Sequence, residues 1–544
     1  MTINYGKPFS RKKTPQSQAI PGSAQVPNSA GGHAWPVDDW MRLERFLILG
    51  SEAGSYYAAE RALTRANAEA VERCIRLDGK RVVKRVAAVS DAGRAPKNDP
   101  AIFALAMAAK LGDLETRRAA LAALPKVCRI GTHLMHFTEY MQAFGGWGRA
   151  TRTAVARWYN DTPVDKLAYQ VVKYQARDGW THRDVLRLAH PKAATAEHDA
   201  LYKWVVRGEP PADALAIVQA FERAKRATDV HEIVRLVRDH DLPRECIPTE
   251  HLNDARVWAA LLERMPMTAM VRNLAMMTRV GLIAPLSAAT RTVVARLAGG
   301  NRLAEARIHP IAVLAAMKTY AAGHGARGQR AWTPVTAIVD ALDDAFYATF
   351  RHVEPSGTRT LLALDVSGSM DSGVVAGVPG LTPRVASAAL ALVTAASEKH
   401  HAFVAFTCGG GGYGGRWGGG PPGLTELDIS PRWRLDRAVK AVSGLPFGGT
   451  DCAQPMLWAL EKRAPVDTFV IYTDSETWAG SIHPAQALRE YRQRMGIPAK
   501  LVVVGMVSNG FSIADPNDAG MLDVIGFDTV TPTVIGDFAR QRQR

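Results

Sequence analysis

The stretch Thr360–Met370, TLLALDVSGSM, constrains this chain more than any other. Leu361, Leu362, Ala363 and Leu364 form a short unbroken apolar run, the pattern of a parallel strand covered on both faces. The run ends in Asp365, and Ser367 and Ser369 follow at alternate positions around a turn that Gly368 permits. Two more oxygen donors stand beside later strands or turns: Thr450 in LPFGGTD, and Asp474 closing the apolar strand DTFVIYT. In an open α/β sheet the loops at the carboxyl ends of the strands gather, so segments far apart in sequence can meet at one ion. Oxygen donors without Cys or His suit a hard cation, Mg²⁺ before Ca²⁺ or Mn²⁺. The plainer alternative is that the serines cap a helix and Asp365 accepts turn hydrogen bonds.

The set Asp365, Ser367, Ser369, Thr450 and Asp474 resembles the metal-ion-dependent adhesion site of the von Willebrand factor A-like domains, D-x-S-x-S followed by T and D. Its surroundings agree. From Arg359 onward strands alternate with helices: after the opening strand come HAFVAFT, DTFVIYT and KLVVVGM, with helices near Arg384–Glu398, Leu435–Val442, Pro455–Lys462 and Pro484–Met495. That is a doubly wound, Rossmann-like sheet with right-handed crossovers expected. Between Gly409 and Gly423 lies GGGGYGGRWGGGPPG, whose Tyr413, Arg416 and Trp417 are able to stack on bases but which reads first as a disordered surface loop. No G-K-S/T ends it, so it is not a phosphate-binding P-loop.

A chain of 544 residues exceeds one hydrophobic core, so at least two domains are expected. The net charge of +15 is unevenly placed. Residues 356–544 hold 17 Lys+Arg against 17 Asp+Glu, so the whole excess lies in residues 1–355. From Arg256 to Arg330 eleven basic residues face two acidic ones, Glu263 and Glu305, too lopsided for a salt-bridged surface. Such a field attracts polyanions, although a generally basic proteome would produce a similar excess. The five cysteines are scattered and never spaced C-x-x-C, which fits thiols in a reducing cytoplasm. No membrane-spanning run or signal-peptide core is read, so a cytoplasmic protein without membrane contact is expected.

Residues 1–35, rich in Pro, Gly, Ser, Gln and Asn with a basic knot at Arg11, Lys12 and Lys13, read as a disordered tail or an extended arm laid over a domain. Residues 36–355 read as one helix after another, and 356–544 as the α/β domain. Thr162, Pro163 and Asp165 give an N-cap, a first-turn proline and an N3 carboxylate, with the helix stopping at Asp178-Gly179. The next starts at once with Thr181 as N-cap and Asp184 at N3. Similar short units recur at Ala101–Leu111, Leu114–Leu124, Ala212–Ala224, Val230–Arg238 and Val257–Arg264. Short antiparallel helices without strands between them suggest an α-solenoid of HEAT type, though no crisp period appears.

The stretches RFLILGSEAGSYY, VVKYQARDGWTHRDVLRLAHPK, VRNLAMMTRVGL and DTFVIYTDSETW, in that order, resemble the Ro autoantigen family of TROVE-domain proteins, in a bacterial form. The resemblance runs from about Pro27 onward and joins a TROVE module to an adhesion-site module. It implies a mainly α protein: HEAT-like helices closing into a ring, followed by the von Willebrand factor A-like domain. It further implies that the ring's hole takes single-stranded 3′ ends of misfolded RNA and that its outer surface binds small noncoding Y RNAs. Bacterial members are associated with exoribonucleases, notably polynucleotide phosphorylase, tethered by a Y RNA. A monomer is expected.

Lys173, Arg177 and His190 match positions the family implicates in RNA contact. Read from the residues alone, Lys173 and Arg177 stand four apart, a like-charged pair on one helical face that costs stability unless an anion answers it. The alternatives are a solvated face and, for His190, a capping histidine near a helix C-terminus. Arg149, Arg152, Arg157, Arg272 and Arg279 are further RNA candidates, whereas Met276 and Met277 read as core.

Enzyme readings fare poorly. There is no H-E-x-x-H and no G-x-S-x-G, and the only base near the metal set is Glu476, which reads equally as a surface helix residue. Hydroxyls in the first shell leave charge on the ion for a carboxylate or phosphate of a partner. The expected function is thus a non-enzymatic RNA quality-control scaffold. A chelatase-subunit-type protein scaffold and a metal-dependent RNA hydrolase are the alternatives.

Overall fold

The computed structural model describes residues 13–51, 60–299, 305–306, 308–325, 331–350, 354–375, 381–408, 423–445, 448–528 and 530–541. The glycine-rich loop with Tyr413, Arg416 and Trp417 lies outside the described residues, as do Arg11 and Lys12.

The carboxyl-terminal region builds a six-stranded sheet from β5 (Arg359–Asp365), β6 (His400–Phe406), β7 (Leu424–Leu427), β8 (Thr468–Thr473), β9 (Lys500–Gly505) and β11 (Met521–Ile525). The order is β11-β9-β8-β5-β6-β7, parallel throughout except for β7, which pairs antiparallel with β6. The four apolar runs of the sequence are the four central strands. β8 and β9 are buried along their whole length, as double-sided cover requires. The sequence reading missed β11, because Asp523 interrupts its apolar run, and β7, an edge strand of four residues. Helices Pro383–Ser397, Leu435–Ser443, Gln454–Glu461 and Pro484–Met495 stand where they were predicted. The chain leaves β5 toward β6 on one side and later returns through β8 on the other, so the strand order reverses beside β5. The carboxyl ends of β5 and β8 flank the crevice where such sheets take their ligands.

The middle of the chain is helical. Asp99–Leu111 packs against both Leu114–Val127 and Gly131–Ala143, and Val230–His240 packs against Ala255–Arg264, sequence neighbours lying side by side as a helical-repeat array demands. Thr181 and Asp184 form the full capping box, each side chain bonded to the other's backbone N–H. The preceding helix differs from expectation. It ends at Lys173, and a two-residue hairpin follows, β3 (Ala176–Arg177) against β4 (Trp180–Thr181). Asp178 and Gly179 both take positive φ, 52° and 79°, the tight-turn geometry that an Asp-Gly pair supports. The Asp178 carboxylate is fixed there by the His136 ring. Arg177 is therefore outside the helix, and the like-charged pair on one helical face does not exist.

Over its described residues the chain divides into two compact units, with boundaries at Asn67/Ala68 and Arg351/His352. The sheet unit takes in the amino-terminal segment as far as Asn67, beyond the boundary at 35 that composition suggested. The reason is packing. β1 (Val26–Pro27) pairs with β2 (His33–Pro36), and β2 pairs with β10 (Phe511–Ser512). Trp35 is buried in the core of the sheet with Cys452, Ala453 and Met456. Helix Asp39–Leu49 then lies along β11. Among the described residues no helix is long and apolar enough to cross a membrane.

Candidate metal centre and nucleic-acid interface

Asp365 is the last residue of β5 and fully buried, and Ser367 and Ser369 follow in a loop that turns into a short 3₁₀ segment at Gly368–Asp371. The Ser367 N–H donates to Asp365 Oδ1 at 2.9 Å, and the two serine hydroxyls lie 3.1 Å apart. Thr473, ending β8, donates its hydroxyl to Asp365 Oδ2 at 2.6 Å, which ties the two strand ends together. Asp474 comes next, its Oδ1 receiving the Glu476 N–H at 3.1 Å and its carboxylate also bonded to Ser369. Ser475 adopts a left-handed φ of 63° so that the chain can turn back over the site. Thr450 is buried beside this loop, its carbonyl accepting the N–H groups of Trp478 and Ala479 at 3.1 Å each. The Arg384 guanidinium, itself buried, donates to the Val366 carbonyl at 2.8 Å and the Ser367 carbonyl at 3.3 Å and pairs with Asp371 at 2.9 Å. It fixes the turn of the D-x-S-x-S segment from behind.

The electrostatics fit a cation. Burial pushes the Asp474 carboxyl up to about 7, with the charge of Asp365 adding to the rise, and burial pushes Asp365 up as well. Two buried carboxyls of like charge are thus held together with hydroxyls, and the nearby Cys452 thiol is kept protonated by burial and by the charge of Asp365. The donor set is two carboxylates, Asp365 and Asp474, with the hydroxyls of Ser367, Ser369 and Thr450, all hard oxygens. Residues Asp365, Ser367, Ser369, Thr450 and Asp474 are the ones that could hold Mg²⁺. Thr473, Arg384 and Asn509, which donates to the Asp474 carbonyl at 2.6 Å, were not picked out from the sequence. Only Thr473, adjacent to Asp474, had a local signal.

Glu476 is not a surface helix residue. It is 2% exposed in a loop, its carboxylate receiving the Ser29 N–H at 2.8 Å and contacting Asn509 Nδ2 at 3.4 Å, and burial raises its pKa.

In the helical unit, Lys173 is half-buried at the end of helix Val164–Lys173. Its Nζ donates to the Tyr169 hydroxyl at 3.1 Å and sits 5.2 Å and 5.5 Å from the Tyr169 and Tyr174 ring centroids. Burial opposes its charge, but the two tyrosines and Glu245 outweigh burial and raise its pKa. Burial raises the pKa of the Tyr174 hydroxyl, and the charges of Lys173 and Arg272 act against that rise. Lys173, Tyr169, Arg244 and Asn273 line a cavity of about 210 Å³. A wider cavity of about 980 Å³ beside Trp204 is lined by Arg183, by Arg223 paired with Glu232 at 3.1 Å and by Arg226 paired with Glu222 at 4.0 Å.

The remaining candidates are exposed. Arg177 pairs with Asp178 at 3.4 Å, and Arg149, Arg152 and Arg157 share the outer face of helix Arg149–Asn160. Arg279 rests on the Met276 sulfur at 2.7 Å, while Met277 is buried. His190 takes φ 47° as a left-handed helix C-cap, its N–H bonded to the Leu186 carbonyl at 2.9 Å, the capping role weighed for it. The basic field is also partly answered. Arg264 pairs with Asp241 and Arg256 with Asp254, acids outside the window from Arg256 to Arg330, so a count along the chain overstated the imbalance.

The comparisons with known proteins bear on both regions. Residues 359–539 match the Ro60 vWA domain model, and residues 26–230 and 235–319 match the TROVE domain model. An RNA-binding protein RO60 from Deinococcus radiodurans is 43% identical over 531 residues, 97% of each chain. This chain belongs to the RO60 family. A second member, the RNA-binding protein RO60 of Caenorhabditis elegans, is 35% identical over 97% of this chain and 92% of its own. The crystal structure of the Deinococcus radiodurans RO (RSR) protein aligns with a TM-score of 0.70 at 42% identity, covering 92% of this chain and 99% of the other. The RO60 family models thus cover both the strand ends around Asp365 and Asp474 and the helices carrying Lys173 and Arg272. The TROVE match begins at residue 26, inside the amino-terminal segment that packs on the sheet.

Proposed function

We propose that this chain is a non-enzymatic, cytoplasmic RNA-binding protein of RNA quality control. It binds small noncoding Y RNAs and the single-stranded 3′ ends of misfolded or structured RNAs, and it acts as a monomeric scaffold for an exoribonuclease such as polynucleotide phosphorylase. The observation that carries the reading is Lys173 set over the Tyr169 and Tyr174 rings, with Lys173 and Tyr169 lining one cavity, in a family whose relatives are named RNA-binding proteins. Lys173 and Arg272 offer charged donors to phosphate, and the flanking tyrosines offer faces on which unpaired bases stack. Arg149, Arg152, Arg157, Arg177, Arg279 and His190 extend this contact over exposed surface.

At the sheet, Asp365, Ser367, Ser369, Thr450 and Asp474 hold Mg²⁺ in this reading. The ion supplies a positive centre for an acidic group of a partner, and Arg384 and Thr473 keep the ligands oriented. Against the hydrolase reading, Glu476 is engaged by the Ser29 N–H and Asn509 Nδ2.

The test is binding of a duplex with a single-stranded 3′ tail against the same duplex blunt-ended, in Mg²⁺, with RNA integrity followed on gels. Tighter binding of the tailed RNA, left intact, is expected. Equal affinity overturns end recognition, and cleavage that vanishes in Asp474→Ala overturns the non-enzymatic reading.

A further inference from the structure

The amino-terminal segment reaches the loops that carry Thr450 and Asp474 in the candidate metal centre. Gln16 is fully buried and uses all its polar atoms: Nε2 donates to Asp451 Oδ1 at 2.6 Å and to the Ile482 carbonyl at 2.8 Å, and Oε1 accepts the Thr477 hydroxyl. Its backbone N–H bonds the Gly480 carbonyl at 2.8 Å. Asp451 adjoins Thr450, and Thr477 lies three residues past Asp474. Asn28 donates to the Thr477 carbonyl at 2.7 Å, while the Ser29 N–H holds Glu476. The turn between β1 and β2 is pressed so close that a Cβ on Gly32 would fall 2.0 Å from the Thr477 carbonyl oxygen. From a third side Arg45, 1% exposed, grips the Asn509 carbonyl and Oδ1 at 2.9 Å each while paired with Asp523 at 2.8 Å. Asn509 passes the restraint on through its 2.6 Å bond to the Asp474 carbonyl.

We infer that Gln16, the Asn28–Ser29 turn and the Arg45–Asn509 pair are positioning residues of the metal centre, so that its affinity for a divalent cation is set by a segment more than 300 residues away in sequence. The inference rests on the metal reading above and deepens it. The physical case is the number of fixed points. Thr450 and Asp474 sit on loops whose own regular structure ends before them. Each oxygen must be held to a fraction of an ångström for a small octahedral cation. In metal sites generally, removing a partner that orients a ligand weakens binding about 10- to 100-fold. Here the orienting bonds at Asp451, Thr477, Glu476 and Asn509 come from residues 16–45 or are held by them.

The experiment is Mg²⁺ and Mn²⁺ titration calorimetry on the full chain, with metal-free melting measured alongside. The variants are Gln16→Ala, Asn509→Ala, Ser29→Pro, Ser29→Ala and, as the loss-of-site control, Asp365→Ala. Ser29 is exposed and contributes its N–H, so proline removes the donor while alanine keeps it. Expected are dissociation constants raised about 10-fold or more in Gln16→Ala, Asn509→Ala and Ser29→Pro, with Ser29→Ala matching wild type and each metal-free variant still unfolding cooperatively. A purely structural role would move the melting temperature and spare the dissociation constant. Wild-type metal affinity in Ser29→Pro and in a folded Gln16→Ala, with binding lost in Asp365→Ala, overturns the inference and leaves the metal reading standing. No metal binding in wild type overturns both.

Discussion

The two candidate sites are built in opposite ways. Around Asp365 and Asp474 the five candidate ligands are all buried, and the groups that orient their loops come from segments scattered from residue 16 to residue 509. Around Lys173 and Arg272 the side chains are half-buried or exposed, and apart from the two tyrosines their partners are few. A small hard cation needs fixed oxygens, so its site must be over-determined by the fold. A polyanion needs positive charge within reach of many phosphates, and mobile exposed arginines serve it. The first site should accordingly fail sharply on single substitutions, and the second should fade with each one.

The sharpest break in that contrast is Asp365→Ala. With Mg²⁺ at about 100 times its dissociation constant, wild type should gain about 2.7 kcal/mol of stability and the variant none, read as the shift of the melting curve with Mg²⁺. RNA affinity should not change. A wild-type melting curve indifferent to Mg²⁺ would dissolve the contrast altogether.

Next in size is Lys173→Ala combined with Arg272→Ala. Losing two charged contacts should weaken tailed RNA by roughly 1.5 kcal/mol each and lower the salt slope by at most about two counterions, measured by titrating affinity against salt. An all-or-none loss would mean that the helical site is as over-determined as the metal site. An unchanged slope in the folded variant would remove both residues from the RNA path.

A smaller effect concerns pH. Asp474 is raised from 3.8 to about 7 when folded, so between those values the folded protein binds more protons than the unfolded chain. Without metal, this group's contribution to stability is therefore present at low pH and declines as pH rises through the window. Mg²⁺ should reverse that slope, since it competes with the proton for the same oxygens. Denaturant unfolding from pH 4.5 to 7.5, with and without Mg²⁺, reads it, and parallel curves would count against a shared site.

The smallest expected change in stability is at His190. Its left-handed φ suits glycine better than histidine, so His190→Gly should leave stability unchanged or raise it by up to about 1 kcal/mol. A drop in RNA affinity in that variant would separate its contact from its capping. Unchanged affinity would leave His190 a cap alone.

The sequence by itself settled the parts that local pattern controls. Unbroken apolar runs fix buried parallel strands, so β5, β6, β8 and β9 and the carboxylates that end two of them were legible. Thr181 with Asp184 announced a helix start because a capping box closes within four residues. Charge counting located the excess, although it missed the acid that a neighbouring helix brings to Arg264 and the N-cap Asp254 that pairs with Arg256. Tertiary structure decided the rest. Whether Lys173 and Arg177 share a face depended on a turn at Asp178 that His136 helps to hold from another helix. Whether Glu476 is free depended on Ser29, and whether residues 13–49 are a tail or a wall of the metal centre depended on partners hundreds of positions away. Composition reports a segment's own capacity to bury apolar area. It carries no record of a groove that another part of the chain provides, and Gln16, Asn28 and Arg45 hold their places through that groove.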